Sequence, residues 1–459
     1  MPIASVNFEQ LAAQVGPDRL HLGAGTRSLF RVDGSMPAAV VQPAEAKELA
    51  EVVSWARTFR AGLIPATSGA YLPVGNPPHA ADLAVSLTRL NRVVHYDPGD
   101  LTLGVEAGVS LASVQEMLGR DGLFLPADPP YADRAALGGL VAANASGPLR
   151  FGYGTWRDFV VGMRFVTGEE KFVQSGGRVV KNVAGYDLAK LMIGAVGSLG
   201  ILTEINFKVF PLPRATAAYV FGFESAQPAL AARLRLVHSV WQPRALELLD
   251  PQAAGLAAAA ALPSAYWVLV VSVGGVDAVL HRYQVDFSAL AHEVRAAHFG
   301  VVREDDERRL WESLYNLLPR LRETHPATMV VKAALPLTQV GPFIEKSLAV
   351  AARYELPAAA SAHAGSGIAF IYLLPPAEMP DATRAAAGGP SRLAQAATEM
   401  IHAGNNLGGR VTIPWCPTEV KRDVNVWGPL RDDFPLMKKL KAQFDPDRVL
   451  NPGRFVGGL

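Results

Sequence analysis

The sequence is almost without cysteine: Cys416 is the only one in 459 residues. One thiol cannot close a disulfide within the chain, and an iron–sulfur cluster takes about four cysteines. A secreted disulfide framework is therefore excluded, and so is an Fe–S relay carried by this chain alone. A charge excess is also missing. Lys plus Arg number 43 and Asp plus Glu 42, for a formal net charge of +1, so there is no global pull toward nucleic acid or an anionic membrane. The N-terminus, MPIASVNFEQLAAQVG, has neither a basic stretch nor a long apolar run, so no signal peptide is expected. The longest charge-free run, Pro251 to Val276, is long enough to cross a bilayer. It is Ala- and Gly-rich and broken at Pro263-Ser264, so it reads as a helix, Ala253 to Leu262, followed by a strand, Tyr266 to Val273. A cytoplasmic protein is the expectation.

What is present is apolar bulk. Hydrophobic residues make up 50% and charged residues 19%, so the chain has enough to bury a core, and its length suggests two or three domains. Apolar residues Leu49, Val52, Val53 and Ala56 form one stripe in a helix read over Pro43 to Arg60, between strands Ala38 to Gln42 and Leu63 to Ala66. Strands follow at Leu83 to Leu87, Arg92 to Tyr96 and Leu101 to Glu106, the last two joined by the Asp97-Pro98-Gly99-Asp100 turn. Ser110 caps a short helix through Leu118. From about Ala215 to Pro414 strands and helices alternate, with helices at Asp305 to Leu318 and Pro342 to Tyr354. Ala377 to Pro390 reads as an Ala/Gly/Pro loop, and Asp432 to Phe455 as a closing helix and turn.

Four segments are candidates for ligand binding. Gly23-Ala24-Gly25 with Ser28 is a partial dinucleotide fingerprint, but no helix is expected after it, so it reads as a loop. Pro65-Ala66-Thr67-Ser68-Gly69-Ala70-Tyr71 leaves a strand as a run of mostly small residues, which lets main-chain N–H groups approach a phosphate. Asp128-Pro129-Pro130 precedes a Gly-rich stretch, Ala136 to Gly154. There Gly138, Gly139 and Gly147 would permit positive φ and close approach, and Asn144 and Ser146 would offer hydrogen bonds to a ligand. Lastly, Gly176 to Pro211 pairs a Lys181-Asn182 step with Gly185, a helix from Tyr186, glycines at 194, 197 and 200, and a strand from Ile201 to Phe210.

Together these segments resemble the FAD-binding domain of the vanillyl-alcohol oxidase / p-cresol methylhydroxylase (PCMH) superfamily. Within it they resemble the branch of D-2-hydroxyacid dehydrogenases and glycolate oxidase subunits. KNVAGYDLAKL followed by GSLGILTE is similar to the E-type glycolate oxidase subunits, and FDPDRVLNPGRF, Phe444 to Phe455, to the closing motif of the branch. The resemblance implies an α+β protein. A PCMH-type FAD-binding domain of two α/β subdomains would span 1–213, an α+β, ferredoxin-like cap 214–417, and a C-terminal segment returning to the FAD domain 418–459. It implies that Ala66 to Tyr71 holds the pyrophosphate, that Asp128 to Gly152 wraps the flavin and ribityl chain, that Gly200 and Ile201 meet the cofactor from the other side, and that the turn at Asn451 folds back near the ring. Tyr71 stands near the place where covalent relatives carry a histidine, so FAD is expected to be non-covalent.

Catalytic members of the branch carry His-x-Gly-Asp-Gly-Asn-x-His and a later Glu-His pair, which hold a divalent ion. Here His363 matches the first histidine, but Ser366, Ile368 and Phe370 replace the next three ligand positions. Gly408 to Pro417 lacks the acidic–histidine pair. No metal is expected, and His363 reads as structural. The resemblance therefore implies an FAD-binding subunit of a glycolate or D-2-hydroxyacid dehydrogenase complex. Its partners would be a catalytic flavoprotein and an Fe–S subunit, with a peripheral place at the inner face of the membrane through them. The alternatives are a self-sufficient FAD oxidoreductase, with Tyr315, Arg320 or Lys332 as its base, and a flavin-free scaffold.

Overall fold

The computed structural model describes residues 8–178, 185–376 and 390–459. Its first half is built on two sheets. Four strands pair in the order Leu20–His21, Ala39–Val41, Leu83–Ser86 and Leu63–Ala66. The last three are parallel and the first antiparallel. A five-stranded antiparallel sheet runs Val93–Asp97, Thr102–Glu106, Ile201–Lys208, Val160–Val166 and Phe172–Gly176. The helix Ala46–Phe59 turns Leu49, Val52, Val53 and Ala56 into the core, as the stripe predicts. It starts three residues after Pro43, at a Glu45 cap, so the proline precedes the helix rather than opening it. Ser110 caps Leu111–Gly119 by accepting the Ser113 N–H.

The second half is an eight-stranded antiparallel sheet in the order His298–Arg303, Ala215–Phe223, Trp267–Gly275, Ala245–Leu249, Ala358–His363, Ile368–Leu373, Met329–Ala334 and Arg410–Trp415. Alternate residues face opposite ways. Ala217, Tyr219, Phe221 and Phe223 join a core with the helices Ala226–Val237, Asp277–Glu293, Val340–Arg353 and Arg392–Asn406. Ala218 and Val220, on the other face, join the core of the first half. The cap sheet is therefore buried on both sides, and the second face is the one that meets the cleft.

Several local readings change. Asp305 to Leu318 is two helices, Glu304–Tyr315 and Leu317–Thr324, divided at Asn316; the first packs on the cap sheet and the second on the helix Pro251–Ala257. The Ala-rich helix is shorter, Pro251–Ala257, because Asp250 caps it early and Ala258 takes a left-handed conformation at its end. Gly23 opens one helical turn, Ala24–Ser28, rather than a loop. The stretch after Asp128-Pro129-Pro130 contains the helices Leu137–Ala143 and Arg150–Tyr153. The loop at Ala377 to Pro390 lies, apart from its last residue, outside the described residues. Among the described residues no helix is long and apolar enough to cross a membrane.

The C-terminal segment closes over the first half. Leu63 N–H donates to Val449 and Asn451 N–H to Leu63, which lays the tail beside Leu63–Ala66. Lys441, buried, gives its three N–H donors to Ser198 O (2.8 Å), Asp445 Oδ2 (2.6 Å) and Leu450 O (2.9 Å). Asp445 in turn accepts the Val449 and Leu450 N–H groups. A buried ion pair satisfied on every side specifies one position for the tail.

Candidate functional site

A cleft of about 610 Å3, open solvent included, lies where the strand Leu63–Ala66 ends. Of the predicted residues, Pro65, Ala66, Thr67, Gly69, Tyr71, Gly138, Gly139, Gly200, Ile201 and Asn451 line it, joined by Val196, Gly197, Ala142, Ala143 and Arg454. A pocket of about 770 Å3 adjoins it and shares Tyr71 and Ala143; Asp128, Asn144, Ser146 and Gly147 line this second space. Ser68, Ala70, Pro129 and Gly152 line neither. Gly152 N–H donates to Arg244 O at 3.0 Å, and a Cβ there would stand 2.9 Å from Arg244 Cα, so this glycine is a joint against the cap. Lys181 lies outside the described residues.

The glycines act by close approach, not by the positive φ expected of them. Gly138, Gly139 and Gly147 all lie outside the left-handed region. A Cβ on Gly147 would fall 1.9 Å from Asp128 O, and one on Gly139 would fall 2.9 Å from Thr67 Oγ1. Gly69 does take φ +78°, which turns the chain at the head of the cleft.

Three groups in these spaces have donors or acceptors to spare. The N–H groups of Thr67 through Tyr71 find no acceptor among the described residues, so this strand exit has main-chain donors to offer a ligand. Arg454 is 2% exposed; it donates to Leu72 O, Val74 O (2.7 Å) and Asn451 Oδ1 (3.4 Å), and its Nε has no partner. The nearest acid, Asp33, is bound to Lys421 at 2.8 Å. This buried cluster thus holds two cations and one carboxylate. Asn144 Oδ1 is also buried without a partner. A dinucleotide with a pyrophosphate and a polar ring suits all three. Tyr71 OH donates to Pro130 O at 2.6 Å, and burial holds the phenol well above its ordinary pKa.

The cap supplies the far wall of the pocket from one face of its sheet. Glu247 is paired with His363 across neighbouring strands, Ser361 with Phe370, and Phe370 with Lys332. Period-two alternation then places all of these side chains on the pocket side, with Tyr372 and Val330 one step along. Lys332 Nζ, half-buried, makes no hydrogen bond or ion pair among the described residues; its closest polar relation is a cation–π contact of 6.0 Å to Phe370. Burial, then Arg150, lowers its pKa to about 8. Asp128 accepts the Leu149 N–H on both oxygens (3.2 and 3.0 Å), and burial raises it to about 7. Tyr315 lines the pocket with a raised pKa, whereas Arg320 donates to Ala257 O at 2.6 Å and lines neither space.

His363 is held rather than free. Its Nδ1 lies 2.7 Å from Glu247 Oε1, and its ring also meets the Ser146 main chain. Burial pushes the Glu247 carboxyl well above the carboxylate range. Burial, then Arg150, pushes the imidazole down to about 3. Both shifts favour the neutral forms, in which Glu247 O–H donates to Nδ1. A divalent ion does not fit here: Phe370 packs edge-on against the imidazole at 5.0 Å, and no group of three acidic, His or Cys side chains among the described residues is placed to share an ion.

Residues 37–176 match the model of an FAD binding domain, and residues 212–412 with 427–455 that of the C-terminal domain of FAD linked oxidases. The chain belongs to the FAD-linked oxidases. It is accordingly an FAD-dependent oxidoreductase of the PCMH-type superfamily. It is 27% identical over 457 residues to glycolate oxidase subunit GlcD of Bacillus subtilis (97% of this chain, 96% of that one). It is 41% identical over 169 residues to subunit GlcE of Escherichia coli (37% of this chain, 48% of that one). The likeness to the E subunit noted in the sequence is thus sharper but partial, and the D subunit matches end to end. The fold superposes on p-cresol methylhydroxylase with a TM-score of 0.77 at 15% identity, over 97% of this chain and 95% of that one.

Proposed function

We propose that this FAD-linked oxidase oxidises a 2-hydroxy acid, with FAD held non-covalently in the cleft and the acid in the adjoining pocket with its carboxylate on Lys332. The observation that carries this reading is Lys332 itself. An ammonium without a counter-ion, turned into a largely apolar pocket, is costly; an anionic ligand offsets that cost. In the cofactor cleft the Thr67 to Tyr71 amides and Arg454 Nε would take the negative groups of FAD, and Asn144 Oδ1 a ring N–H. Residues 1–213 act as the cofactor domain and 214–417 as the cap.

Bound FAD supplies the acceptor for the hydride that leaves the α carbon, so the hydroxy acid becomes a 2-oxo acid and its hydroxyl proton must go to the protein. Asp128 suits that role: it lines the pocket and titrates close to neutrality, where a general base is most effective. Lys332 stays protonated while it faces a carboxylate. The Glu247–His363 pair, being neutral, shapes the wall without adding charge. Any Fe–S relay that takes the electrons sits on another chain, because Cys416 is the only cysteine here. The similarity to two glycolate oxidase subunits supports a place in a complex with a second flavoprotein and an Fe–S subunit, in the cytoplasm or at the inner membrane face. Affinity purification from the native host is the test. Co-elution with an Fe–S protein is expected; a chain that travels alone and passes electrons directly to a dye or oxygen would set the complex aside.

A further inference from the structure

The shape and chemistry of the cap wall narrow the substrate. We infer that the acid carries an aromatic or branched apolar body and a single carboxylate. The inference rests on the reading of this pocket as the seat of a 2-hydroxy acid.

Around Lys332, on the same face of the cap sheet, stand Val330, Phe370, Tyr372 and Trp415, with Leu318 from a neighbouring helix. Phe370 and Tyr372 stack at 6.4 Å with an 18° interplanar angle, and both rings line the pocket, which makes this stretch of wall aromatic. Tyr372 OH is already engaged with Ser361 Oγ at 3.1 Å, so its ring offers surface rather than a donor. Trp415, 7% exposed, has an indole N–H with no acceptor among the described residues. A two-carbon acid would satisfy Lys332 and leave this surface uncovered. An aryl or branched body covers it, at the usual gain for removing apolar area from water. The count of charges sets the number of carboxylates. Lys332 is the only cationic side chain among the residues lining the pocket, which it shares with Asp128, the Glu247–His363 pair and the phenols of Tyr71, Tyr315 and Tyr372; Arg150, whose charge reaches Lys332, Glu247 and His363, lies outside the lining. A second carboxylate would meet Asp128 and find no second cation in the lining, which disfavours a dicarboxylate.

The test uses the full chain loaded with FAD and reads two signals. Acetate, glutarate and phenylacetate, which lack the hydroxyl and do not turn over, are titrated against the shift of the flavin absorbance. Glycolate, 2-hydroxyglutarate and 2-hydroxy-3-phenylpropanoate are then mixed anaerobically and the loss of flavin colour is followed. Phenylacetate is expected to bind about tenfold or more tighter than acetate or glutarate, and the phenyl hydroxy acid to bleach the flavin with about tenfold or higher efficiency. Glycolate or 2-hydroxyglutarate bleaching as well as the phenyl acid overturns the substrate class while leaving the oxidation reading intact. If no hydroxy acid bleaches, the oxidation reading fails, and the binding series still decides the pocket's preference: phenylacetate no tighter than acetate overturns it. Phe370→Ala and Leu318→Ala are made separately; in either variant that retains FAD, the phenylacetate-to-acetate preference is expected to fall at least about threefold, and an unchanged preference in both counts against the inference.

Discussion

Glu247 and His363 stand directly opposite each other in neighbouring strands of the cap sheet, with Oε1 2.7 Å from Nδ1 and both side chains buried. In the unfolded chain the carboxyl ionises above its ordinary value of 4.5, whereas in the fold burial raises that pKa well above it. A raised carboxyl pKa means stability that is full below the unfolded value and lost as pH rises toward the folded one. Glu247→Gln keeps the hydrogen bond, with the amide N–H donating to Nδ1, and removes the titration. The variant is therefore expected to gain melting temperature over the parent at pH 8 relative to pH 5. Glu247→Ala leaves the buried Nδ1 of His363 without its partner and is expected to lose about 1–3 kcal/mol. Thermal denaturation at the two pH values checks both.

The two groups that titrate near neutrality give the reaction its pH profile. Asp128 must be ionised to accept the hydroxyl proton, and burial has raised it to about 7. Lys332 must be protonated to hold the carboxylate, and burial has lowered it to about 8. The efficiency of flavin reduction is therefore expected to rise through about pH 7 and fall above about pH 8, a narrow bell. Asp128→Asn is expected to lower the limiting rate about 100-fold, with little change in the affinity for phenylacetate. Stopped-flow reduction across pH 5–10, about the range over which both groups change charge, reads each limb.

Arg454 is expected to act on the cofactor instead. Its Nε has no partner in the cleft, and its charge is not matched by Asp33, which belongs to Lys421. Arg454→Met is expected to raise the FAD dissociation constant about tenfold to 100-fold, the value of a charge-assisted hydrogen bond. Arg454→Lys is expected to restore part of that. Calorimetric titration of the apoprotein with FAD measures it, and circular dichroism confirms that the Leu72 and Val74 carbonyls, which lose a donor, still hold the fold.

Gly147 tests the close packing behind the pocket. A methyl group there would meet Asp128 O at 1.9 Å. Main chain cannot yield as a flexible side chain can, so Gly147→Ala is expected to cost about 2 kcal/mol or more and to lower FAD retention. Denaturant unfolding and the absorbance ratio of the purified variant are the measurements.

The cofactor half was legible in the sequence because its signals are local. A strand exit of mostly small residues, a Gly-rich stretch and an Asn-Pro-Gly turn are short patterns, and Pro65, Ala66, Thr67, Gly69, Gly139 and Asn451 do meet in one cleft. The cap pocket was legible only in pieces. Lys332 and Tyr315 could be named as candidates, but Glu247, Phe370 and Tyr372 reach the same wall through strand register between segments more than 80 residues apart in some cases, as for Glu247 and His363. No sequence spacing carries that information. Arg454 was hidden for a different reason: it stands inside the closing motif Phe444 to Phe455, but nothing in that string says its guanidinium turns into the cleft, and its role follows from where Lys441 and Asp445 anchor the tail.

The central claim is that this chain oxidises the acid in its own pocket, through Lys332. The most direct measurement is anaerobic mixing of the FAD-loaded protein and of its Lys332→Met variant with 2-hydroxy-3-phenylpropanoate, following the flavin absorbance. The account predicts that the parent bleaches fully, while the variant keeps its FAD and stays yellow at acid concentrations that saturate the parent. A variant that bleaches at the parent's rate, or a parent that holds FAD and never bleaches with any 2-hydroxy acid, would contradict it.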